Sequence, residues 1–193
     1  TFAKGLRAIL RQDPDVVMVG EMRDVETAQI GIQSSLTGHL VLSTVHTNSA
    51  VAAIARLRDM GIESYLLASS LKTIIAQRLV RRLCQSCKVS DTPDTETLAK
   101  LSLNGSSKCF KASGCDDCLG SGYKGRIAIA ECLTVDKTIR EMIHNNSSEA
   151  EIADYAFENN ESIDQASKNL ITSGITSCDE ILRVNNMKED GSI

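Results

Sequence analysis

The alternation of apolar and polar residues near the start of the chain predicts a strand, a helix and a second strand in succession. Val16–Val19 is a short apolar run, mostly β-branched and bounded by a proline and a glycine, which is typical of a buried parallel strand. Asp24 can cap a helix over 25–37, and Gly38 can end it. A second strand then covers 39–45. We therefore expect a β-α-β unit with parallel strands.

Helical periodicity continues through most of the remaining chain, with one interruption. Between 81 and 126 the periodicity dissolves while cysteines and glycines accumulate, so we expect an irregular subdomain there. Two Ser-x-x-Glu patterns, at 148–151 and 177–180, fit the capping box that opens a helix. We expect 188–193 to be a frayed end. The further elements predicted are helices over 2–11, from Asn48 or Ser49 to Met60, and over 63–80, 95–101, 137–144, 148–157, 163–173 and 177–184, and a strand over 126–135.

Composition and charge restrict the class of protein. Of the 193 residues, 42% are hydrophobic and 24% are charged, as in ordinary globular proteins. No apolar run approaches the roughly 18 residues that span a membrane. The net charge of −4 argues against a dominant nucleic-acid surface, which usually carries a basic excess. The chain starts inside a helical pattern without an initiator methionine, so we expect it to be a fragment of a longer protein.

Polar side chains follow both strands of the predicted β-α-β unit. Gly20 and Glu21 follow the first strand, and His46 closes the second, within a run of serine, threonine and asparagine. The carboxyl ends of parallel strands share one edge of the sheet, where ligands usually bind. Neighbouring strands lie about 5 Å apart, so Glu21 and His46 could serve one site. The alternative is that Glu21 is a helix-start charge and His46 a structural histidine.

Two segments resemble a known family. Residues 9–24 strongly resemble the Walker B segment of the type II secretion and type IV pilus assembly ATPases, and residues 37–48 resemble the histidine box of that family. The resemblance extends to Arg183. It implies an α/β fold with part of a RecA-like parallel sheet and flanking helices over 1–80, a tetracysteine zinc-binding subdomain over 81–126 and a helical subdomain over 127–193. It also implies a ring-forming ATPase, usually hexameric, that drives pseudopilus or pilus assembly at the inner membrane.

The resemblance assigns roles to individual residues. Glu21 matches the Walker B glutamate, which is expected to polarise the attacking water or to act through Mg²⁺. His46 matches the box histidine, expected to sense or orient the γ-phosphate. Arg7, Arg11 and Arg23 fall at arginine-bearing positions of the family, where some contact phosphates across a subunit boundary. For Arg7 and Arg11, a solvated helix face is an equal alternative.

The phosphate-binding loop is missing from the sequence. Such a loop requires Gly-x-x-x-x-Gly-Lys-Ser/Thr, because its backbone amides and lysine surround the phosphates. The pair Lys72-Thr73 matches the last two positions of this motif, but the residue before it is leucine where the loop requires glycine. The family carries this loop upstream of the Walker B strand. We therefore expect ATP and Mg²⁺ to be bound by the full-length protein, and this chain to be inactive alone.

Four cysteines have the spacing of a metal site. Cys84 and Cys87 form one Cys-x-x-Cys knuckle, and Cys115 and Cys118 form a second. Four thiolates favour a tetrahedral, structural zinc ion, with iron a lesser possibility. The resemblance agrees, since many family members carry a tetracysteine subdomain at this point. Cys109 is a substitute ligand in principle, but it fits better on a short strand that leads into the second knuckle.

The remaining cysteines and the nearby basic residues have ordinary explanations. The total of seven cysteines is odd, which favours metal ligation in a reducing cytoplasm over disulfides. Cys132 and Cys178 read as buried or helical cysteines. A basic cluster near the first knuckle could contact acidic lipid head groups or a partner protein, or could simply be solvated. Its members are Arg78, Arg81, Arg82 and Lys88.

The sequence leaves rival functions to be weighed. The leading interpretation is an ATPase located in the cytoplasm and peripheral to the inner membrane, which assembles with itself as a homo-hexamer and with inner-membrane components, and binds no nucleic acid. The first alternative is a zinc-ribbon module that binds nucleic acid, supported by the knuckles and local arginines but opposed by the acidic charge and the 3% aromatic content. The second is a thiol oxidoreductase, whose Cys-x-x-Cys motif normally stands alone.

Overall fold

The computed structural model describes residues 2–186, and contacts within the chain divide it into two compact units. Unit 1 comprises Thr1–Ala76 and Cys132–Asn160, and unit 2 comprises Gln77–Glu131 and Glu161–Ile193. The expectation of a frayed end at 188–193 lies outside the described residues. The three-segment division into 1–80, 81–126 and 127–193 stays a prediction. None of the described helices is long and apolar enough to cross a bilayer.

The described elements confirm an α/β fold and most of the predicted helices. The strand predicted over 126–135 is present but begins earlier, and the strand predicted over 39–45 is shorter than expected. The helices are α1 Phe2–Leu10, α2 Val25–Leu36, α3 Ala50–Asp59, α4 Ser64–Ser70, α5 Thr95–Lys100, α6 Lys137–His144, α7 Glu149–Phe157, α8 Ile163–Thr172 and α9 Cys178–Asn186. The strands are β1 Val16–Val19, β2 Leu40–Ser43, β3 Thr73–Leu83, β4 Val89–Asp91, β5 Cys109–Lys111 and β6 Tyr123–Thr134.

Strands β1 and β2 of unit 1 pair in parallel, as predicted. Val17 lies opposite Val41 and Met18 opposite Leu42. Asp24 caps the intervening helix α2 by accepting a hydrogen bond from the Thr27 amide. The prediction that β1 is a buried strand is wrong for one of its faces, because Val17 is buried while Met18 is 73% exposed.

The main core of unit 1 joins elements that are far apart in the sequence. Large aliphatic side chains of α3, α4, α6 and α7 meet there, together with Leu133 at the end of β6. Ile54, Leu67, Ile143 and Ile152 are all at most 1% exposed. Burying each such side chain stabilises the folded state by about 1.5–3 kcal/mol relative to leaving it exposed. This packing holds α6 and α7 against the helices that precede the cysteine-rich region.

The helix predicted over 63–80 is wrong in its second half. Helix α4 ends at Ser70, and Leu71 adopts an extended conformation with φ −66° and ψ 134°. Strand β3 then begins with three consecutive β-branched residues at 73–75, which favour strand over helix. Along β3 the exposed and less exposed side chains alternate, as they do when one face of a strand is covered. Strand β3 pairs with β6.

Unit 2 contains the cysteine-rich region and the last two described helices. Strands β4 and β5 pair antiparallel, with Ser90 opposite Phe110. The apolar core brings together Val80, Ile129 and the fully buried Ile181. The four predicted ligand cysteines all belong to this unit.

The two predicted capping boxes have different outcomes. Ser148 and Glu151 form the complete box at the start of α7, with hydrogen bonds in both directions. At α9, the Ser177 hydroxyl accepts from the Glu180 amide at 3.2 Å, as predicted. The Glu180 carboxylate, however, is bound by two arginines, Arg81 and Arg183. The second box is therefore only half formed, because the Glu180 carboxylate is directed at the arginines rather than back at the start of its own helix.

Candidate functional site

The loops that follow β1 and β2 are joined to each other at the carboxyl edge of the parallel pair. The Met22 amide donates to the Thr44 carbonyl at 3.0 Å, and the Thr44 hydroxyl donates to the Gly20 carbonyl at 2.7 Å. These two bonds continue the pairing beyond the last strand residues, Val19 and Ser43. They fix the backbone from which Glu21 projects.

This edge brings Glu21 and His46 together. Nε2 of His46 lies 3.2 Å from Oε2 of Glu21, and Nε of Arg23 donates to the same carboxylate oxygen. The Glu21 side chain is only 20% exposed, whereas those of Arg23 and His46 are 70% and 82% exposed. A sheltered carboxylate is therefore flanked by two side chains that extend into solvent and can reorient.

The surroundings of Glu21 keep its carboxylate ionised. The hydrogen bond from Arg23 lowers the pKa of this carboxyl most, and the His46 hydrogen bond lowers it further, against an opposing effect of desolvation. A carboxyl group with a lowered pKa accepts a proton weakly, but holds a cation or orients a water molecule well. The local chemistry thus favours positioning and charge stabilisation over proton abstraction.

The three predicted arginines have different surroundings. Arg23 contacts Glu21, but Arg7 pairs with Glu26 on α2 at 2.8 Å, and Arg11 is exposed in the turn after α1. The Arg7–Glu26 pair is about half exposed on both sides, so its contribution to stability is about 0–1 kcal/mol. A role for these arginines across a subunit boundary stays a prediction.

The four knuckle cysteines converge on one point. Their sulfur atoms all lie within 4.8 Å of one another. The Sγ–Sγ distances are 3.9 Å for Cys84 and Cys115, 3.8 Å for Cys87 and Cys118, and 3.7 Å for Cys115 and Cys118. A tetrahedron of thiolates around zinc, with bonds of about 2.3 Å, has edges of about 3.8 Å. The donor set and its size therefore fit a zinc ion.

Backbone amides point at the sulfurs, as required where negative charge collects. Gly114 N–H donates to Cys87 Sγ at 3.3 Å, and Gly122 N–H donates to Cys118 Sγ at 3.1 Å. Burial raises the pKa of the Cys118 thiol, but the amides of Cys115 and Gly122 outweigh it and the pKa falls to about 6. Burial instead raises the pKa of Cys115 to about 11. The amide–sulfur hydrogen bonds thus stabilise thiolate charge in the cluster, and thiolate is the form of cysteine that ligates a metal ion.

The other cysteines lie outside this cluster. Cys109 is on the short strand β5, as predicted, and is buried beside Cys178 in the core of unit 2. Burial and the neighbouring Cys109 raise the pKa of the Cys178 thiol to about 12. Cys178 is therefore a buried helical cysteine, as predicted. Cys132 is exposed on β6, so its assignment as buried or helical is wrong.

The basic cluster near the first knuckle is engaged within the chain. Arg81 binds Glu180, and Lys88 donates to the Gly174 carbonyl at 2.8 Å while lying 4.8 Å from the centre of the Phe110 ring. Arg78 donates to Asn185 at 3.1 Å. Arg82 is exposed. Three of the four cations predicted as a surface patch therefore have acceptors in unit 2.

One charged residue of this region was missed by the sequence analysis. Glu180 is fully buried, and its carboxylate accepts hydrogen bonds from both Arg81 and Arg183. Burial raises the pKa of this carboxyl, but the arginines outweigh it and the pKa falls to about 2. In the sequence, Glu180 fits a capping box that begins at Ser177. The spacing of Glu180 and Arg183 at i and i+3 was the available hint of an ion pair.

Comparison of the sequence with known proteins identifies relatives. The family described as "Type II/IV secretion system protein" matches residues 1–183. Type II secretion system protein E of Dickeya dadantii is 50% identical over 184 residues, and that of Pseudomonas aeruginosa is 52% identical over 186. The type II secretion system ATPase E of Vibrio cholerae is 51% identical over 189 residues. Each match covers 95% of this chain but 37% of the relative, so the chain spans well under half of their length.

Solved structures agree on the fold. The pilus retraction motor PilT, solved with bound ADP, superposes with a TM-score of 0.68 at 26% identity, over 95% of this chain and 43% of that one. The ATPase DotB of Legionella pneumophila superposes with a TM-score of 0.64 over 100% of this chain and 43% of that one. At 22% identity, the second likeness concerns the fold alone.

Proposed function

This chain belongs to the type II/IV secretion system protein family, and from that membership we propose that it is the C-terminal part of a ring-forming ATPase. In this proposal the full-length protein hydrolyses ATP to power pseudopilus or pilus assembly and protein secretion across the outer membrane. The observation that carries the proposal is the 3.2 Å contact between Glu21 and His46 at the carboxyl edge of a parallel strand pair.

Glu21 is proposed as the carboxylate of a Walker B segment. When bound with ATP, Mg²⁺ would neutralise the negative charge that develops on the phosphate oxygens during hydrolysis. The ionised Glu21, partly sheltered and anchored by the Met22–Thr44 hydrogen bond, is suited to orient the attacking water or to hold a metal-bound water. Arg23 and His46 both contact Oε2 of Glu21, so an incoming water or metal-bound water would share this carboxylate with them or displace one of them.

His46 is proposed to report on the γ-phosphate. Its ring contacts Glu21 on one side and is otherwise solvent-exposed, so it can turn toward a nucleotide placed above the strand edge. A neutral imidazole has one N–H, so His46 can donate it either to the Glu21 carboxylate, as in this structure, or to a phosphate oxygen once the ring has turned. The pair would thereby connect nucleotide recognition to water orientation.

The four knuckle cysteines are proposed to hold a structural zinc ion. The near-tetrahedral sulfur spacing and the amide–sulfur hydrogen bonds support zinc. Four thiolates leave no open coordination position for substrate, so we assign the metal a folding role. The donor residues are Cys84, Cys87, Cys115 and Cys118.

The wider assembly also belongs to the proposal. In a homo-hexamer with a complete RecA-like sheet, the part of each protein outside this chain would provide the phosphate loop that binds ATP and Mg²⁺. Inner-membrane components of the secretion or pilus machinery would recruit the ring, giving a cytoplasmic protein peripheral to the membrane. Family membership and the 37% share of the relatives' length support this assignment.

The experiment that tests the proposal compares nucleotide binding by the full-length protein and by this chain. Calorimetry with Mg²⁺·ATP should show binding by the former only, because most phosphate affinity comes from the glycine loop, its lysine and the loop-held metal. Phosphate release should follow the same division. Micromolar ATP affinity of this chain alone would place the nucleotide site elsewhere. A salt-dependent shift in the electrophoretic mobility of DNA or RNA on addition of the chain would instead support the zinc-ribbon alternative.

A further inference from the structure

One segment of unit 2 binds both sides of the cysteine cluster. Residues 174–183, named here the support segment, connect α8 to α9 and include most of α9. Thr176, Ser177 and Glu180 of this segment are at most 1% exposed. Buried polar side chains need hydrogen-bond partners, and those of the support segment find them on Arg81 of β3 and Tyr123 of β6, the strands next to the two knuckles.

The first knuckle is held at both of its ends. Leu83, directly before Cys84, donates its amide to the Ile175 carbonyl at 2.8 Å. Lys88, directly after Cys87, donates to the Gly174 carbonyl at 2.8 Å. The positions of the first two sulfur atoms therefore depend on where the support segment lies.

The second knuckle is attached through the residues that follow it. The Tyr123 hydroxyl is 2.7 Å from the Ser177 hydroxyl. The Gly122 carbonyl accepts the Cys84 amide at 2.9 Å, and the Gly122 amide donates to Cys118 Sγ at 3.1 Å. Gly122 thus links the two knuckles through hydrogen bonds, and the neighbouring Tyr123 connects this link to the support segment.

Glu180 connects these attachments. Its carboxylate accepts from the Arg81 amide at 3.0 Å and from the Arg81 guanidinium at 2.8 and 2.6 Å. The same guanidinium lies 4.1 Å from the centre of the Tyr123 ring. The Arg81 carbonyl accepts the Thr176 hydroxyl at 2.9 Å. One buried carboxylate therefore orients an arginine that touches the segments leading to both knuckles.

We propose that the support segment positions the four thiolates, with Glu180 as its central positioning residue, so that metal retention and the docking of α9 are coupled. The inference rests on the proposed metal site. Loss of Glu180 frees Arg81 and Tyr123, loosens the bases of both knuckles and speeds metal release. Because coupling between two events is reciprocal, metal binding also protects the start of α9 from local opening.

Metal release from the zinc-loaded chain tests the proposal. Zinc transfer to an excess of a chromogenic chelator is followed for the wild type, Glu180→Gln and Tyr123→Phe. We expect release to be about tenfold faster in Glu180→Gln, as is typical when residues supporting metal ligands are lost, and detectably faster in Tyr123→Phe, which removes one hydroxyl and keeps the ring. If Glu180→Gln fails to fold, the zinc release rate of Tyr123→Phe still tests the proposal.

A matched control separates positioning from general stability. Glu131 is another buried carboxylate of unit 2, and it accepts the Ile163 amide at 3.1 Å on a different helix. Glu131→Gln should change resistance to urea but leave the zinc release rate unchanged. Equal release rates in the wild type, Glu180→Gln and Tyr123→Phe would overturn the proposal, as would an equal acceleration in Glu131→Gln.

The reciprocal effect supplies a second readout. Amide hydrogen exchange over 178–186 should accelerate when zinc is removed from the wild type, whereas exchange in α7 of unit 1 should not. Unchanged exchange over 178–186 in a chain shown to have lost its zinc would contradict the coupling while leaving the metal site intact. Absence of bound zinc from the purified wild type would overturn the metal assignment and the coupling with it.

Discussion

Glu21 and His46 are far apart in the sequence, yet Nε2 of His46 lies 3.2 Å from Oε2 of Glu21. The contact follows from parallel pairing of β1 and β2, which brings the ends of both strands to the same edge. Two further hydrogen bonds between the loops, both involving Thr44, hold that edge in place. The structure therefore gives Glu21 a fixed backbone and leaves His46 freer to move.

His46→Ala in the full-length protein should slow ATP turnover with little effect on folding. The side chain is 82% exposed, so its removal creates no cavity, but it takes away the group proposed to orient the γ-phosphate. Steady-state phosphate release together with thermal unfolding measures both effects. His144→Ala, at an exposed position on α6, is the control and should keep wild-type turnover. Unimpaired hydrolysis in His46→Ala would reduce His46 to a structural partner of Glu21.

The cysteine assignment predicts which thiols hold metal. The purified chain should contain about one zinc per molecule. Cys115→Ser should release it, and proteolysis within 88–114 should accelerate because the metal contributes folding free energy locally. Cys109→Ser is the control and should retain zinc, since Cys109 lies outside the cluster. Full zinc occupancy in Cys115→Ser, measured by metal analysis, would contradict the ligand set.

Gly122 should be less replaceable than Gly120, although both have positive φ, at +72° and +77°. A Cβ at Gly122 would lie 2.5 Å from the Cβ of Ala112, whereas one at Gly120 meets nothing within 4 Å. Gly120→Ala should therefore cost only the left-handed strain of about 1–2 kcal/mol. Gly122→Ala should cost clearly more and weaken zinc binding. Equal urea midpoints for the two variants would contradict this prediction, because they would show that the loop accommodates the methyl group at Gly122 without additional loss of stability.

The buried Glu180 predicts a specific pH dependence of stability. Its pKa falls from 4.5 to about 2 in the folded chain, so its stabilisation is complete above pH 4.5 and is lost as the pH falls through about 2. A shift of this size corresponds to on the order of 3 kcal/mol. The stability difference between the wild type and Glu180→Gln, from urea unfolding, should shrink as the pH is lowered across this range. A difference independent of pH would show that the charge of Glu180 is not what stabilises unit 2.

Much of the site was predictable because its signals are local. The β-branched run at 16–19 and the cap at Asp24 determine a β-α-β unit whose geometry places Glu21 and His46 at one edge. Each Cys-x-x-Cys knuckle is recognisable from its local spacing, and the structure brings the sulfur atoms of the two knuckles together.

The errors arose where tertiary contacts decide the outcome. Residues 73–80 have apolar spacing compatible with a helix, but pairing of β3 with β6 makes them a strand. Glu180 looks like half of a capping box until folding brings Arg81 beside it. The sequence also could not show that Arg7 is paired with Glu26. Long-range pairing of this kind leaves no periodic trace in the sequence.

The central claim is that Glu21 acts in ATP hydrolysis, and ATP binding and turnover of Glu21→Gln in the full-length protein test it most directly. Glutamine preserves the shape but removes the charge, so ATP binding should persist while phosphate release falls by a factor of about 10² or more. Glu149→Gln is the matched control, because Glu149 is an exposed glutamate at the start of α7, and it should retain full activity. Wild-type turnover in Glu21→Gln would contradict the account and leave Glu21 as a helix-start charge.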